Sequence, residues 1–202
     1  MILAIESAIA GGSFAFIKDG DRAAGWSGPS DVSRAEHLLP AIEETMIECG
    51  IDRSALSMIG VSAGPGSFTG IRIGMSTALG LAAGLRIPVA SVSILKAMAA
   101  SVEGSAILAA VPMGRASICI QTFSKEKATI LENDLPVTLT ESDFVGHIRN
   151  WKGTVVVHAS LTGFRGDREI FDVGLDLASL VGKYCQQHPN EIERPLFISK
   201  SF

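Results

Sequence analysis

Residues 2–7, Ile2-Leu3-Ala4-Ile5-Glu6-Ser7, form an unbroken apolar run that ends on two polar residues, the pattern of a strand covered on both faces. Residues 13–18 alternate, turn at Asp19-Gly20-Asp21 and return as residues 22–27, so the chain opens with a three-strand meander. From residue 106 the pattern recurs. Residues 106–111 echo the first strand, with Ile107-Leu108-Ala109 matching Ile2-Leu3-Ala4; residues 116–123 and 128–132 follow, with Ser124-Lys125-Glu126-Lys127 at the turn. A helix is predicted after each meander, over 33–49 in the first half and, capped by Thr140, over 141–150 in the second. Strands are predicted next, at 57–62 and 154–159. The first half continues with a long helix over 68–85, a strand at 88–92 and a helix at 93–101. The second half has nine residues, 160–168, before a strand-like run at 169–173 and a last helix at 175–187. Nine residues cannot hold a long helix and its turns.

A duplicated meander, helix and strand is the layout of actin-like, ribonuclease-H-like (ASKHA) α/β domains. The second copy is degenerate, and the division is expected as 1–103 and 104–202.

Between strand 57–62 and helix 68–85 runs Ser62-Ala63-Gly64-Pro65-Gly66-Ser67-Phe68-Thr69-Gly70-Ile71-Arg72-Ile73-Gly74. A strand, a glycine loop and a helix N-terminus commonly bind anions, but the familiar versions do not fit. A Walker A loop ends in Gly-Lys-Ser/Thr, and no lysine occurs between Lys18 and Lys96. A dinucleotide fingerprint needs Gly-x-Gly-x-x-Gly with an acid about 20 residues on, and the first acid after this loop is Glu103. An esterase elbow needs glycines two residues either side of the serine, whereas Ser67 has Gly66 beside it and Gly70 three residues later. Gly64, Pro65, Gly66, Ser67, Thr69 and Gly70 are therefore read as a structural glycine loop, with Ser67 or Thr69 capping the helix.

In actin-like ATPases and sugar kinases the first turn of each meander holds phosphate, and carboxylates there position Mg²⁺ and water. Here the first turn offers Glu6-Ser7 and Gly11-Gly12-Ser13. The second, Val111-Pro112-Met113-Gly114-Arg115, has no carboxylate, and the shortened second half lacks the element that would cradle adenine. No cofactor is expected. The alternative is a small actin-like kinase or ATPase using the 64–70 loop. His37, His147, His158 and His188 share no helix turn with one another or with a cysteine, so no metal spacing exists, and they read as surface or helix-packing histidines.

Net charge −4 argues against an independent nucleic-acid binder. Cys49, Cys119 and Cys185 are odd in number and widely spaced, which points to reduced thiols in a cytoplasmic protein. The uncharged run 73–85 is short of the ~20 residues a membrane span needs, and the N-terminus does not read as a signal peptide. Mean hydropathy of +0.34 is high for so few charges, which suggests apolar surface reserved for a partner. Two helices are candidates to provide it. Gly70, Gly74, Ala78 and Ala82 recur every four residues, Gly80 and Gly84 form a second pair, and Ile71, Met75 and Leu79 supply a separate apolar stripe. The earlier helix shows Leu38, Leu39, Ile42, Met46 and Cys49, and Pro40 kinks it or starts its regular part. Which flank of 68–85 faces outward is open.

Ile2-Leu3-Ala4-Ile5-Glu6-Ser7, Glu36-His37-Leu38-Leu39-Pro40 and Gly64 through Gly74 together resemble the bacterial TsaB (YeaZ) family, specifically around 58–93, recognisably over 1 to about 120 and weakly beyond. The ending Arg194-Pro195-Leu196-Phe197-Ile198-Ser199-Lys200 resembles the family's Pro-x-Tyr-x-Arg with substitutions. Glu6-Ser7-Ala8 replaces the family's Asp-Thr-Ser, and Val111-Pro112-Met113 its Asp-Ala-Arg. The resemblance implies an actin-like scaffold subunit with no catalysis alone. It further implies a catalytic partner TsaD that threonylcarbamoylates N6 of adenosine 37 in tRNA, the ATPase TsaE as a further partner, tRNA contact through the complex, and a possible homodimer in isolation.

Overall fold

The computed structural model describes residues 1–9, 11–28, 37–114, 116–164 and 169–198. The first sheet contains β1 (Ile2–Glu6), β2 (Ser13–Lys18), β3 (Asp21–Ser27), β4 (Met58–Ser62) and β5 (Val89–Val92), in the order β3-β2-β1-β4-β5. β1 is antiparallel to β2 and parallel to β4, which is parallel to β5. The second sheet contains β6 (Ala106–Pro112), β7 (Ser117–Glu126), β8 (Thr129–Glu132), β10 (Thr154–Val157) and β11 (Phe171–Asp172), in the order β11-β10-β6-β7-β8, with β9 (Val137–Thr140) also on β7. Read from the third strand of each half, the two orders are the same. The duplication seen in the pattern is real, and the fold is an actin-like α/β fold.

Alternation along the strands sorts side chains onto two faces. Leu3, Ile5, Phe14 and Phe16 share one apolar cluster with Leu38, Ile42 and Met46 of α1 (Leu38–Glu48) and Ala78 and Ala82 of α2 (Phe68–Leu85). Burying each large side chain there contributes about 1.5–3 kcal/mol. The opposite face carries Ala4, Ala15 and Gly60 between the larger Ile2, Ile17 and Met58, and α5 (Leu177–Gln187) lies close against it. A Cβ on Gly182 would stand 2.9 Å from the Ala4 Cβ, and one on Gly60 3.2 Å from the Cys185 side chain.

The two halves exchange their last helices. α3 (Ile94–Ala100), which follows the first sheet, packs on β6, β7, β8 and β10; α5, from the second half, packs on β1, β2, β4 and β5. The layers run α1/α2, first sheet, α3/α5, second sheet, then α4 (Glu141–Asn150), whose Phe144 and Ile148 are buried against the far side of the second sheet.

Several boundaries differ from expectation. α1 begins at Leu38, because Pro40 lacks an N–H and suits a first turn, so Pro40 starts the regular helix and does not kink it. Residues 33–36 lie outside the described residues. β7 runs on to Glu126, so the turn falls at Lys127, whose φ of 55° is the left-handed conformation a tight turn needs. β9 was not expected. The run 169–173 is reduced to Phe171–Asp172, and α5 starts at Leu177, capped by Asp176 accepting from the Ser179 N–H at 3.2 Å. Thr140 caps α4 as expected, accepting from Asp143 N–H at 3.2 Å. A short 3-10 turn, Ala159–Phe164, stands where the first half has α2.

Candidate functional site

The polar groups of the first turn are engaged within the chain. Glu6 is buried, and its Oε1 accepts the N–H groups of Ala8 at 2.7 Å and Ile9 at 3.2 Å. Burial pushes its carboxyl up to about 7, and the two backbone donors offset part of that rise. Ser7 donates its hydroxyl to the Gly70 carbonyl at 2.8 Å. Ser13 accepts the Ala178 N–H at 2.9 Å, so the N-terminus of α5 occupies the oxygen that a phosphate-binding reading would assign to a ligand. A cavity of about 350 Å³ opens beside Glu6 and is also lined by Trp26, His37, Glu44 and Glu48. Its carboxylates repel phosphate.

The second turn adds no metal ligand. Met113 bonds Ser117 backbone to backbone at 2.7 Å, and Arg115 lies outside the described residues. Ile9, Val111, Cys119 and Leu177 belong to one apolar cluster spanning both sheets, with Met113 and Val173 packed on it. The space between the two turns is thus apolar. Among the described residues no cluster of His, Cys, Asp or Glu could hold a metal ion.

The glycine loop lies against the end of β1. Ser67 N–H donates to the Ala8 carbonyl at 2.7 Å, and Ser67 Oγ accepts Gly70 N–H at 3.3 Å, so Ser67 is the N-cap of α2, while Thr69 is exposed. Gly66 and Gly70 let backbone meet backbone, and Gly74 makes room for the Ser7 side chain. A Cβ on Gly66 would fall 2.4 Å from the Ala8 carbonyl oxygen, on Gly70 2.0 Å from that of Ser7, and on Gly74 2.3 Å from Ser7 Oγ. Gly64 and Pro65 are buried beneath the same turn.

This packing redraws the candidate contact face. Leu38, Ile42, Met46, Gly70, Ile71, Gly74, Ala78 and Ala82 are buried within the chain, and Met75 is half-buried against the same core, so these residues form the inner sides of α1 and α2. Their spacing along each helix is regular. Regular apolar spacing marks the face that meets the sheet, and here the sheet takes it. The outer side carries Leu39 at 50% exposure, Ile47 at 75% and Leu79 at 55%, with Gly80 and Gly84 meeting nothing within 4 Å of an added Cβ. Between the two helices lies a groove of about 750 Å³ lined by Leu39, Ile47, Gly80, Leu81, Gly84 and Leu85, together with Ile42 and Met46 from the expected contact face and the charged Glu43, Asp52 and Arg53. α2 is long and apolar enough to cross a membrane by length and composition, with its inner side packed on the first sheet.

His37 and His147 are exposed, and His188 stacks on Tyr184 with ring centroids 4.4 Å apart. His158 corrects the surface or helix-packing reading: it is buried at the end of β10, with Nδ1 2.9 Å from Ser160 Oγ, and desolvation lowers its pKa.

The paired meanders and crossed helices define a protein of the actin-like (ASKHA) class. A family model described as TsaD: tRNA N6-adenosine threonylcarbamoyltransferase matches residues 27–134, more than half of the 202 residues, and the chain belongs to that family. The fold is similar to YeaZ from Pseudomonas aeruginosa, with 19% identity, 98% of this chain and 99% of that chain covered and a TM-score of 0.68. This bears out the YeaZ resemblance read from the motifs. An activator of 2-hydroxyisocaproyl-CoA dehydratase from Clostridium difficile, solved with ADPNP, shares the fold at 10% identity, 98% and 99% coverage and a TM-score of 0.56. The ethanolamine utilization protein EutJ from Carboxydothermus hydrogenoformans follows at 13% identity, 90% and 87% coverage and 0.50. No curated protein gives a significant sequence match.

Proposed function

We propose that this chain is a non-catalytic scaffold subunit of the tRNA threonylcarbamoylation machinery. It binds the catalytic TsaD subunit through the outer side of α1 and α2 and holds it in a productive state. The observation that carries the reading is the pair Gly80 and Gly84. Each lies in a helix, exposed, with no neighbour within 4 Å of a Cβ. Helical glycine costs about 1 kcal/mol relative to alanine, and close approach of another backbone is what offsets it. Within the chain Gly70 has a backbone neighbour and Gly74 the Ser7 side chain, whereas Gly80 and Gly84 receive theirs from a partner helix seated in the groove. The engaged first turn and the carboxylate-free second turn support the absence of catalysis. TsaE joins the assembled pair, tRNA is contacted through the complex, a homodimer forms on the same face when TsaD is absent, and the site of action is the cytoplasm.

Gly80→Arg tests this reading. The space around Gly80 is open and arginine favours helix over glycine, so the variant folds with a melting temperature no lower than that of the wild type. An unpaired charge in the apolar seam costs several kcal/mol, and about 4 kcal/mol weakens binding nearly a thousandfold. The expected result is loss of co-elution with TsaD and of threonylcarbamoyladenosine formation. Undiminished co-elution and modification by the folded variant would place the seam elsewhere.

A further inference from the structure

The segment after α5 returns across the first sheet and pairs with its edge. Ser91 on β5 forms a parallel bridge with Ile192. Ser91 N–H donates to the Glu191 carbonyl at 3.0 Å, Glu193 N–H donates to the Ser91 carbonyl at 3.2 Å, and Ser91 Oγ donates to the Glu193 carbonyl at 2.9 Å. Further along, Leu196 N–H donates to the Ala63 carbonyl at 2.8 Å, beside the glycine loop. The segment therefore completes the sheet edge as an added peptide strand does.

Its apolar side chains divide: Ile192 is 75% and Phe197 50% exposed, whereas Leu196 and Ile198 are half-buried, Ile198 against the central core cluster. Charge adds a second hold. Lys96 Nζ on α3 lies 2.5 Å from the Glu191 carboxylate and 3.0 Å from that of Glu193. The other Glu193 oxygen accepts Ser93 N–H at 2.6 Å, and Tyr184 Oη donates to Glu191 at 3.0 Å. From the second sheet Glu132 on β8 faces the same ammonium at 3.7 Å, and His188 Nδ1 stands 3.9 Å from Glu191. One ammonium thus serves three carboxylates, with Lys96 and Glu193 largely shielded from water. Glu132 is the farthest of the three, and its negative charge opposes the two on the segment.

We propose that residues 191–198 form an ionic latch, keyed by Lys96, that clamps β5 and the 64–70 loop and whose release loosens the start of α2. The mechanical connection is direct. A Cβ on Gly64 would stand 3.2 Å from the Leu196 carbonyl oxygen, and the Phe197 and Phe68 rings meet with centroids 4.8 Å apart at the first turn of α2. The effect on TsaD binding rests on the docking face proposed above; the latch itself does not.

The test is residue-resolved amide hydrogen exchange on the full chain, comparing Lys96→Met with Glu132→Gln. Lys96→Met removes the key, and Glu132→Gln removes an opposing charge. The amides of Ser91, Glu193 and Leu196 should exchange about tenfold or more faster in Lys96→Met than in Glu132→Gln, while the β1 amides of Leu3 and Ile5 stay alike in both. A smaller ratio, or equal acceleration of the β1 amides, overturns the latch. If Lys96→Met does not fold, the double variant Glu191→Gln/Glu193→Gln takes its place under the same criterion. TsaD affinity is measured on the same proteins. Faster exchange with unchanged affinity keeps the latch and removes its link to docking, whereas failure of Gly80→Arg to uncouple TsaD removes the docking face and leaves the latch standing.

Discussion

Gly70 and Gly74 at one end of α2, and Gly80 and Gly84 at the other, share residue type and spacing but not surroundings. The first pair presses on the backbone and hydroxyl of Ser7; the second faces open space beside an apolar groove. A four-residue glycine step in a helix therefore says that something comes close, and not whether it is the chain itself or another molecule. The same contrast separates the inner and outer sides of α1, where Leu38, Ile42 and Met46 are buried and Leu39 and Ile47 are exposed.

The largest expected effect lies at the loop end. Gly70→Ala places a Cβ 2.0 Å from the Ser7 carbonyl oxygen, which is backbone and cannot rotate aside. Overpacking of this kind costs about 3 kcal/mol or more, read as a fall in the urea midpoint. Gly74→Ala meets the Ser7 hydroxyl, which can turn at the expense of its bond to Gly70, so its loss is smaller. Equal and negligible losses at both positions would erase the distinction between the two ends of the helix.

A second effect comes from the carboxylate beneath the loop. Glu6 has an ordinary value near 4.5 in the unfolded chain and about 7 in the fold, so the folded state binds its proton more tightly. Stability from this group is complete below about 4.5 and falls as pH rises to about 7, by about 3 kcal/mol in all. Glu6→Gln keeps an oxygen for the Ala8 and Ile9 N–H groups and removes the titration. Across that window the wild type should lose stability relative to the variant; parallel curves for the two proteins would remove Glu6 as the source.

The smallest effect has the opposite sign. Gly80→Ala and Gly84→Ala should each stabilise the isolated chain by up to about 1 kcal/mol, because alanine favours helix and the space is open. The same changes should weaken association with TsaD. A rise in melting temperature with affinity retained would show that no backbone approaches there.

Much of this was legible in the chain and some was not, for physical reasons. The duplicated meanders could be read because strand periodicity is local, and the caps at Ser67 and Thr140 because capping spans three residues. β9 leaves no legible signal because Asn133 to Pro136 reads as a turn. Asp134 instead stitches that bend to β7, accepting from Thr122 N–H at 2.9 Å, and the strand resumes. The outward flank of α2 could not be read, since glycine and alanine occupy both sides and the choice is made by Ser7 and Ala8, some sixty residues distant in sequence. Lys96 was likewise hidden: its partners come from two distant parts of the chain, Glu132 from β8 and Glu191 and Glu193 from the segment after α5.

The exchanged helices impose an order on the birth of the protein. The face of the first sheet that bears Ala4, Ala15 and Ile17 is covered by α5, whose last residue is Gln187. Between completion of β5 at Val92 and arrival of that residue, the ribosome works for roughly 5–20 s at ordinary synthesis speeds. Throughout that interval the early sheet has its α1/α2 side available for closure but lacks its second cover. Until α5 arrives the nascent N-terminal half keeps this apolar face uncovered, a surface that a chaperone can hold.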